Sequence, residues 1–126
     1  MRALLLLLSL LPAACAPPVC PLGTAPWQRA ELYFGTTGVD EAAWTDFLAR
    51  SVTPRFPDGF TVLAGRGQWR EPGSGRIVAE SSRVLVVLAP PSAGRLAALE
   101  EIRTAYRARF AQESVGLALS PACAAF

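Results

Sequence analysis

The chain has 126 residues, 52% of them hydrophobic and only 17% charged, which is the length of one domain and excludes a multidomain enzyme. Its 12 basic and 10 acidic residues give a net charge of +2, too balanced for a protein that works by coating phosphate, so nucleic acid is not an expected partner. Every basic residue is Arg, and His, Lys and Asn are absent from the sequence, which removes the commonest general base, the commonest metal ligand and the Schiff-base amine together; neither a metal nor a cofactor is expected.

Met1-Arg2 is a short positive start, followed by the stretch from Ala3 to Leu11, apolar except for Ser9, and then by Pro12-Ala13-Ala14-Cys15. This pattern predicts a signal peptide over residues 1–14, well short of the roughly 20 residues that a membrane-spanning helix needs. Small residues before a Cys resemble a bacterial lipobox, in which Cys15 is acylated (palmitate chemistry) and becomes the mature N-terminus. Pro12 occupies the place where that pattern has Leu, and Leu11 lies one step earlier. The alternative is ordinary cleavage near Ala14 or Ala16, releasing a soluble periplasmic or secreted protein.

With Cys15 acylated, the expectation is an exported cell-envelope lipoprotein held to the membrane through its lipid anchor. Ala16, not Asp, follows the Cys, which allows the periplasmic side of the outer membrane in a Gram-negative host. Residues 15–27, with prolines at 17, 18, 21 and 26, read as a Pro-rich tether, and residues 28–126 as a single α+β domain. In that compartment Cys20 and Cys123 are expected to form a structural disulfide; two unpaired thiols are the alternative, and no Cys-x-x-Cys spacing supports a redox couple.

Glu31 to Gly35 alternates, with Leu32 and Phe34 on one side and Tyr33 on the other, and predicts a short strand closed by Gly35-Thr36-Thr37-Gly38. Asp40 is the expected N-cap of a helix on which Trp44, Phe47, Leu48, Val52 and Phe56 recur until Pro54 interferes. Pro57-Asp58-Gly59 is a turn signature, and Phe60 to Arg70 resumes as an extended segment in which Gly65 and Gly67 predict a bulge or a close backbone approach. Ile77 to Ala89 is the third strand, stopped by Pro90-Pro91. Ser92 to about Gln112 is a second helix with Leu96, Leu99, Ile102, Tyr106 and Phe110 on its apolar side and a solvated Arg-rich face, Glu100 pairing with Arg103. Ser114 to Leu119 is the last short strand.

This β-α-β-β-α-β order predicts a ferredoxin-like α+β sandwich, a four-stranded antiparallel sheet with two helices on one face. The last strand then lies beside the first, which brings Cys123 towards Cys20. The segments Glu31-Leu32-Tyr33-Phe34-Gly35, Val52-Thr53-Pro54-Arg55-Phe56-Pro57-Asp58-Gly59, Gly67-Gln68-Trp69-Arg70, Ala105-Tyr106-Arg107-Ala108-Arg109-Phe110 and Ser120-Pro121-Ala122-Cys123 resemble the bacterial family called domain of unknown function 3574, over about residues 28 to 126. The resemblance implies a small exported protein, often a lipoprotein, and brings neither an activity nor catalytic residues.

The third strand reads Arg83-Val84-Leu85-Val86-Val87-Leu88-Ala89, continuously apolar where a half-buried antiparallel strand alternates. Its second face is therefore expected to be covered, by a homodimer through the open sheet face, by another partner or by a ligand. The candidate ligand-binding residues are Arg66, Gln68, Trp69, Arg83 and Tyr33. If Arg66, Gln68 and Arg70 share a face with Tyr33 and Arg83 nearby, Arg66 and Arg83 hold a carboxylate or phosphate, with Trp69 or Tyr33 stacking on a ring. The structural alternative pairs Arg66 with Glu71 or Glu80 and packs Trp69 at an edge. The expected function is a binding or assembly module of the cell envelope rather than an enzyme. The alternative is a cofactor-independent small-molecule enzyme in a dimeric α+β barrel, with Tyr33, Tyr106 and the carboxylates, Glu80 foremost, as its proton-transfer candidates.

Overall fold

A computed structural model describes residues 19–126; the expected signal peptide, Cys15 and the first part of the expected tether lie outside the described residues. Strands β1 (Ala25–Gly35), β2 (Thr61–Arg70), β3 (Ile77–Ala89) and β4 (Gly116–Ala124) form one antiparallel sheet in the order β2-β3-β1-β4. Helices α1 (Glu41–Phe47) and α2 (Ala93–Phe110) supply the second layer, so the architecture is the ferredoxin-like α+β sandwich. Cys20 and Cys123 are joined by a disulfide, with Cα atoms 5.5 Å apart.

The alternation of β1 sends Ala30, Leu32 and Phe34 into the core and leaves Arg29, Glu31 and Tyr33 on the other side. Both strands of the β1–β4 pair run further than their alternation predicts. β1 starts at Ala25, inside the expected tether, and β4 continues to Ala124, because the two pair from Ala25↔Ala124 to Tyr33↔Gly116. Pro121 is tolerated because β4 is an edge strand, and Pro26 lies outside the β1–β3 pairing, which begins at Gln28↔Ala89. The expected bulge in β2 is absent: β2 and β3 stay in register from Thr61↔Val86 to Arg70↔Ile77. Gly65 serves close approach instead, since a Cβ there would stand 2.8 Å from Ser82 Oγ.

Asp40 caps α1 by accepting from the Ala43 N–H at 2.7 Å. Before Pro54 the helix widens into a π-helical turn over Leu48–Val52, closed by the Thr53 N–H to the Leu48 carbonyl at 2.9 Å, and this turn delivers Val52 to the core. Ser92 caps α2 at the Arg95 N–H. Leu99, Ile102 and Tyr106 are buried beneath α2, and Glu100 pairs with Arg103 at 2.6 Å. Leu96, expected on the buried stripe, is instead 42% exposed.

An aromatic cluster joins the layers. Phe34 lies 4.6 Å from Tyr106 and 5.3 Å from Trp44 between ring centroids, in edge-to-face pairs, each worth about 0.5–1.5 kcal/mol beyond its area burial. The Tyr106 hydroxyl, fully inside this cluster, donates to the Gly35 carbonyl at 2.7 Å, which satisfies the one polar atom that the residue buries.

Candidate functional site

The face of the sheet away from the helices carries a recess of about 740 Å³, within the size range of small-molecule sites. Its floor is built at the row Gly65–Ser82–Gly35, flanked by Gly67–Glu80 and by Leu63–Val84–Tyr33–Gly116. Glycines stand where polar or aromatic groups must come close. A Cβ on Gly35 would meet Glu80 Oε2 at 3.0 Å and Gln112 Oε1 at 3.3 Å, and one on Gly116 would meet Tyr33 Cβ at 3.2 Å and its ring at 3.4 Å. The absent side chains therefore leave room for a carboxylate, a hydroxyl and an amide to converge.

Glu80 is half-buried there, and the Thr37 hydroxyl donates to Glu80 Oε2 at 3.4 Å. Among the described residues no guanidinium lies within ion-pair distance of it. An unpaired carboxylate with Ser82 and Gln112 beside it favours a ligand rich in hydrogen-bond donors or carrying positive charge. Trp69 and Tyr33, 48% and 43% exposed, stand at the flanks as stacking surfaces.

Tyr33 is held by its hydroxyl, which donates to Glu31 Oε2, while Arg29 Nε donates to Glu31 Oε1 at 2.6 Å. The bond from Tyr33 and then that from Arg29 hold the Glu31 carboxyl below its ordinary range, and the same carboxylate pushes the Tyr33 phenol up. The end wall is the segment after α2. Ala111 adopts a left-handed conformation, φ 52° and ψ 38°, a strained choice for a residue with a side chain, and it turns Gln112 towards Gly35.

Beneath the floor, burial and then the charge of Glu80 push the Tyr106 phenol up to about 12. Gly35 is thus the single residue between a buried phenol on one face and a carboxylate on the other.

The five candidate residues do not form one cluster. Strand alternation splits them: Tyr33 and Trp69 lie on the open face, and Arg66, Gln68 and Arg83 on the helix side. Arg83 is committed to α1, donating to Glu41 Oε2 at 2.5 Å, and it cannot clamp an anion together with Arg66 under a stacked ring. Arg66 reaches the recess at its β2 rim, and it pairs with neither Glu71 nor Glu80; Glu71 lies 3.9 Å from Arg76. Ser82, Gly35 and Gln112 were not candidates. Glu80, an acid interrupting an apolar strand, was the one visible signal for this part of the face.

The fold is shared with known structures. The chain is 19% identical to a phage SAM lyase in complex with S-methyl-5′-thioadenosine, covering 86% of this chain and 95% of that one with a TM-score of 0.57. It is 16% identical to the apo form of a phage SAM lyase, covering 86% and 96% with a TM-score of 0.55. At such identities the likeness is one of fold. No curated protein sequence matches. The description "Protein of unknown function (DUF3574)" matches residues 29–126, and the chain belongs to that family.

Proposed function

We propose that the protein is an exported, lipid-anchored component of the cell envelope that binds a compact, donor-rich small molecule in the open-face recess. The observation that carries this reading is the unpaired Glu80 carboxylate on a glycine floor between two exposed aromatic rings. The disulfide is compatible with an oxidising compartment, and among the described residues no helix is long and apolar enough to cross a membrane. In this reading attachment is through the acylated Cys15. The rim of Leu63, Trp69 and Val84 is the surface through which a second copy would cover the same face.

Two experiments test this reading. Cys15→Ser is expected to move the protein from the membrane fraction to the soluble fraction; continued membrane association defeats the lipid anchor. A small-molecule extract of the envelope is expected to raise the thermal midpoint of the wild type and not that of Glu80→Gln; equal behaviour of the two defeats the recess.

A second reading, a cofactor-independent enzyme, is favoured by the shared fold of a lyase that binds S-methyl-5′-thioadenosine together with the lone carboxylate. Its test is turnover of the bound compound by the wild type and loss of turnover, with the fold retained, in Glu80→Gln.

A further inference from the structure

A second cavity, of about 430 Å³, lies at the opposite end of the sheet and shares no lining residue with the open-face recess. Its walls are mostly apolar: Phe56, Phe60, Leu88 and the stacked pair Trp27 and Phe126, whose ring centroids are 5.1 Å apart. Three charged side chains enter the lining, Arg55, Arg95 and Asp58, and they are not equivalent. Arg55 is already committed, donating from Nε to Glu101 Oε2 and from Nη1 to the Ser51 carbonyl, both at 2.8 Å.

Arg95 is not. Its one side-chain bond runs from Nη1 to the Pro90 carbonyl at 2.5 Å, and among the described residues no carboxylate lies within ion-pair distance of it. A guanidinium offers five N–H donors in a fork that matches a carboxylate, so most of the Arg95 fork is free. It also stands in the first turn of α2, which contains no acidic residue, so the positive end of the helix adds to its charge instead of offsetting it.

We propose that this cavity binds a monoanionic amphiphile, a carboxylate on a short apolar chain. The head group sits on the free fork of Arg95, and the chain lies along Phe56, Phe60 and Trp27. Asp58, in an exposed turn, is the one acidic side chain in the lining and opposes the ligand's charge. The site is independent of the open-face reading.

The three indole N–H signals separate the possibilities in one spectrum, because Trp27 lines this cavity, Trp69 lines the open-face recess and Trp44 is buried in the core. The sample is the ¹⁵N-labelled full chain carrying Cys15→Ser, the probe is decanoate below its micelle-forming concentration, and decylammonium is the control of opposite charge. Decanoate is expected to shift the Trp27 signal saturably and leave Trp69 and Trp44 in place, whereas decylammonium produces no saturable shift. Arg95→Gln is expected to weaken binding about tenfold, and Asp58→Asn to tighten it about two- to threefold. If Arg95→Gln fails to fold, seen as loss of the Trp44 signal, the Asp58 variant decides. The proposal is overturned by a Trp27 signal that does not move, by equal shifts at Trp27 and Trp69, by equal binding of decylammonium, or by an Asp58→Asn variant that binds no better than the wild type.

Discussion

The two faces of the sheet are made by alternate residues of the same strands, yet they obey different rules. On the helix side Leu32, Phe34 and Leu85 are fully buried against Trp44, Phe47 and Tyr106, and among the described residues no buried side-chain polar atom lacks a partner, the Tyr106 hydroxyl bonding to Gly35. On the open side Tyr33, Leu63 and Trp69 are about half exposed, and a carboxylate stands beside glycines with no ion-pair partner among the described residues. One side holds itself together, and in the proposed reading the other is completed by a ligand. Because Phe34 and Tyr33 are neighbours in sequence, the contrast is open to single substitutions.

The largest separation is expected from that pair. Phe34→Ala should cost about 3–5 kcal/mol through lost burial and a cavity in the aromatic cluster, while Tyr33→Ala, at 43% exposure, should cost about 1 kcal/mol or less; urea unfolding of both variants measures the difference, and equal costs would dissolve the distinction. Loss of the Cys20–Cys123 bond should be next, on the order of 4 kcal/mol for a loop that encloses nearly the whole domain, read as the change in denaturation midpoint on reduction.

The buried phenol gives a pH-dependent version of the comparison. Tyr106 titrates at about 12 when folded, against an ordinary value of 10.0. Its raised value means that the neutral form is favoured by folding, so this stabilisation is complete below pH 10 and is lost as pH rises through about 12. Ultraviolet titration should find less than half of the tyrosine ionised at pH 10, since Tyr33 is also shifted upward by its bond to Glu31. Tyr106→Phe should remove the later transition and cost about 1–2 kcal/mol.

Two smaller effects probe the edge of the open face. Ala111→Gly should stabilise by about 0.5–1 kcal/mol, because glycine adopts the left-handed C-cap without strain. Glu80→Gln should change stability by no more than about 0.5 kcal/mol, since the carboxylate makes no ion pair; a large loss would place Glu80 among the structural residues and remove it from the site.

Much of the fold was legible because local chemistry and tertiary structure agree. Asp40 and Ser92 cap the two helices, Ile77 to Ala89 is one strand from end to end, and the βαββαβ order brings Cys123 to Cys20. The extra length of β1 and β4 was hidden because each runs through a proline, Pro26 and Pro121, a residue that counts against a strand in the sequence, and only their positions outside the β1–β3 pairing and on an edge strand make them harmless.

The site was only partly legible. Arg66, Gln68 and Arg83 drew attention as polar groups in apolar strands, but the register of β2 against β3 decides which face a residue serves. That register puts Arg83 opposite Ala64, where it meets Glu41, and puts Glu80 opposite Gly67. Gln112 enters through the left-handed turn at Ala111, a backbone state that its sequence does not announce.

The most direct test of the open-face reading is native mass spectrometry of the full protein extracted from the envelope, wild type beside Glu80→Gln. The account predicts a reproducible small-molecule adduct on the wild type that is missing from the folded variant. Bare protein in both samples, or the same adduct on both, would contradict it.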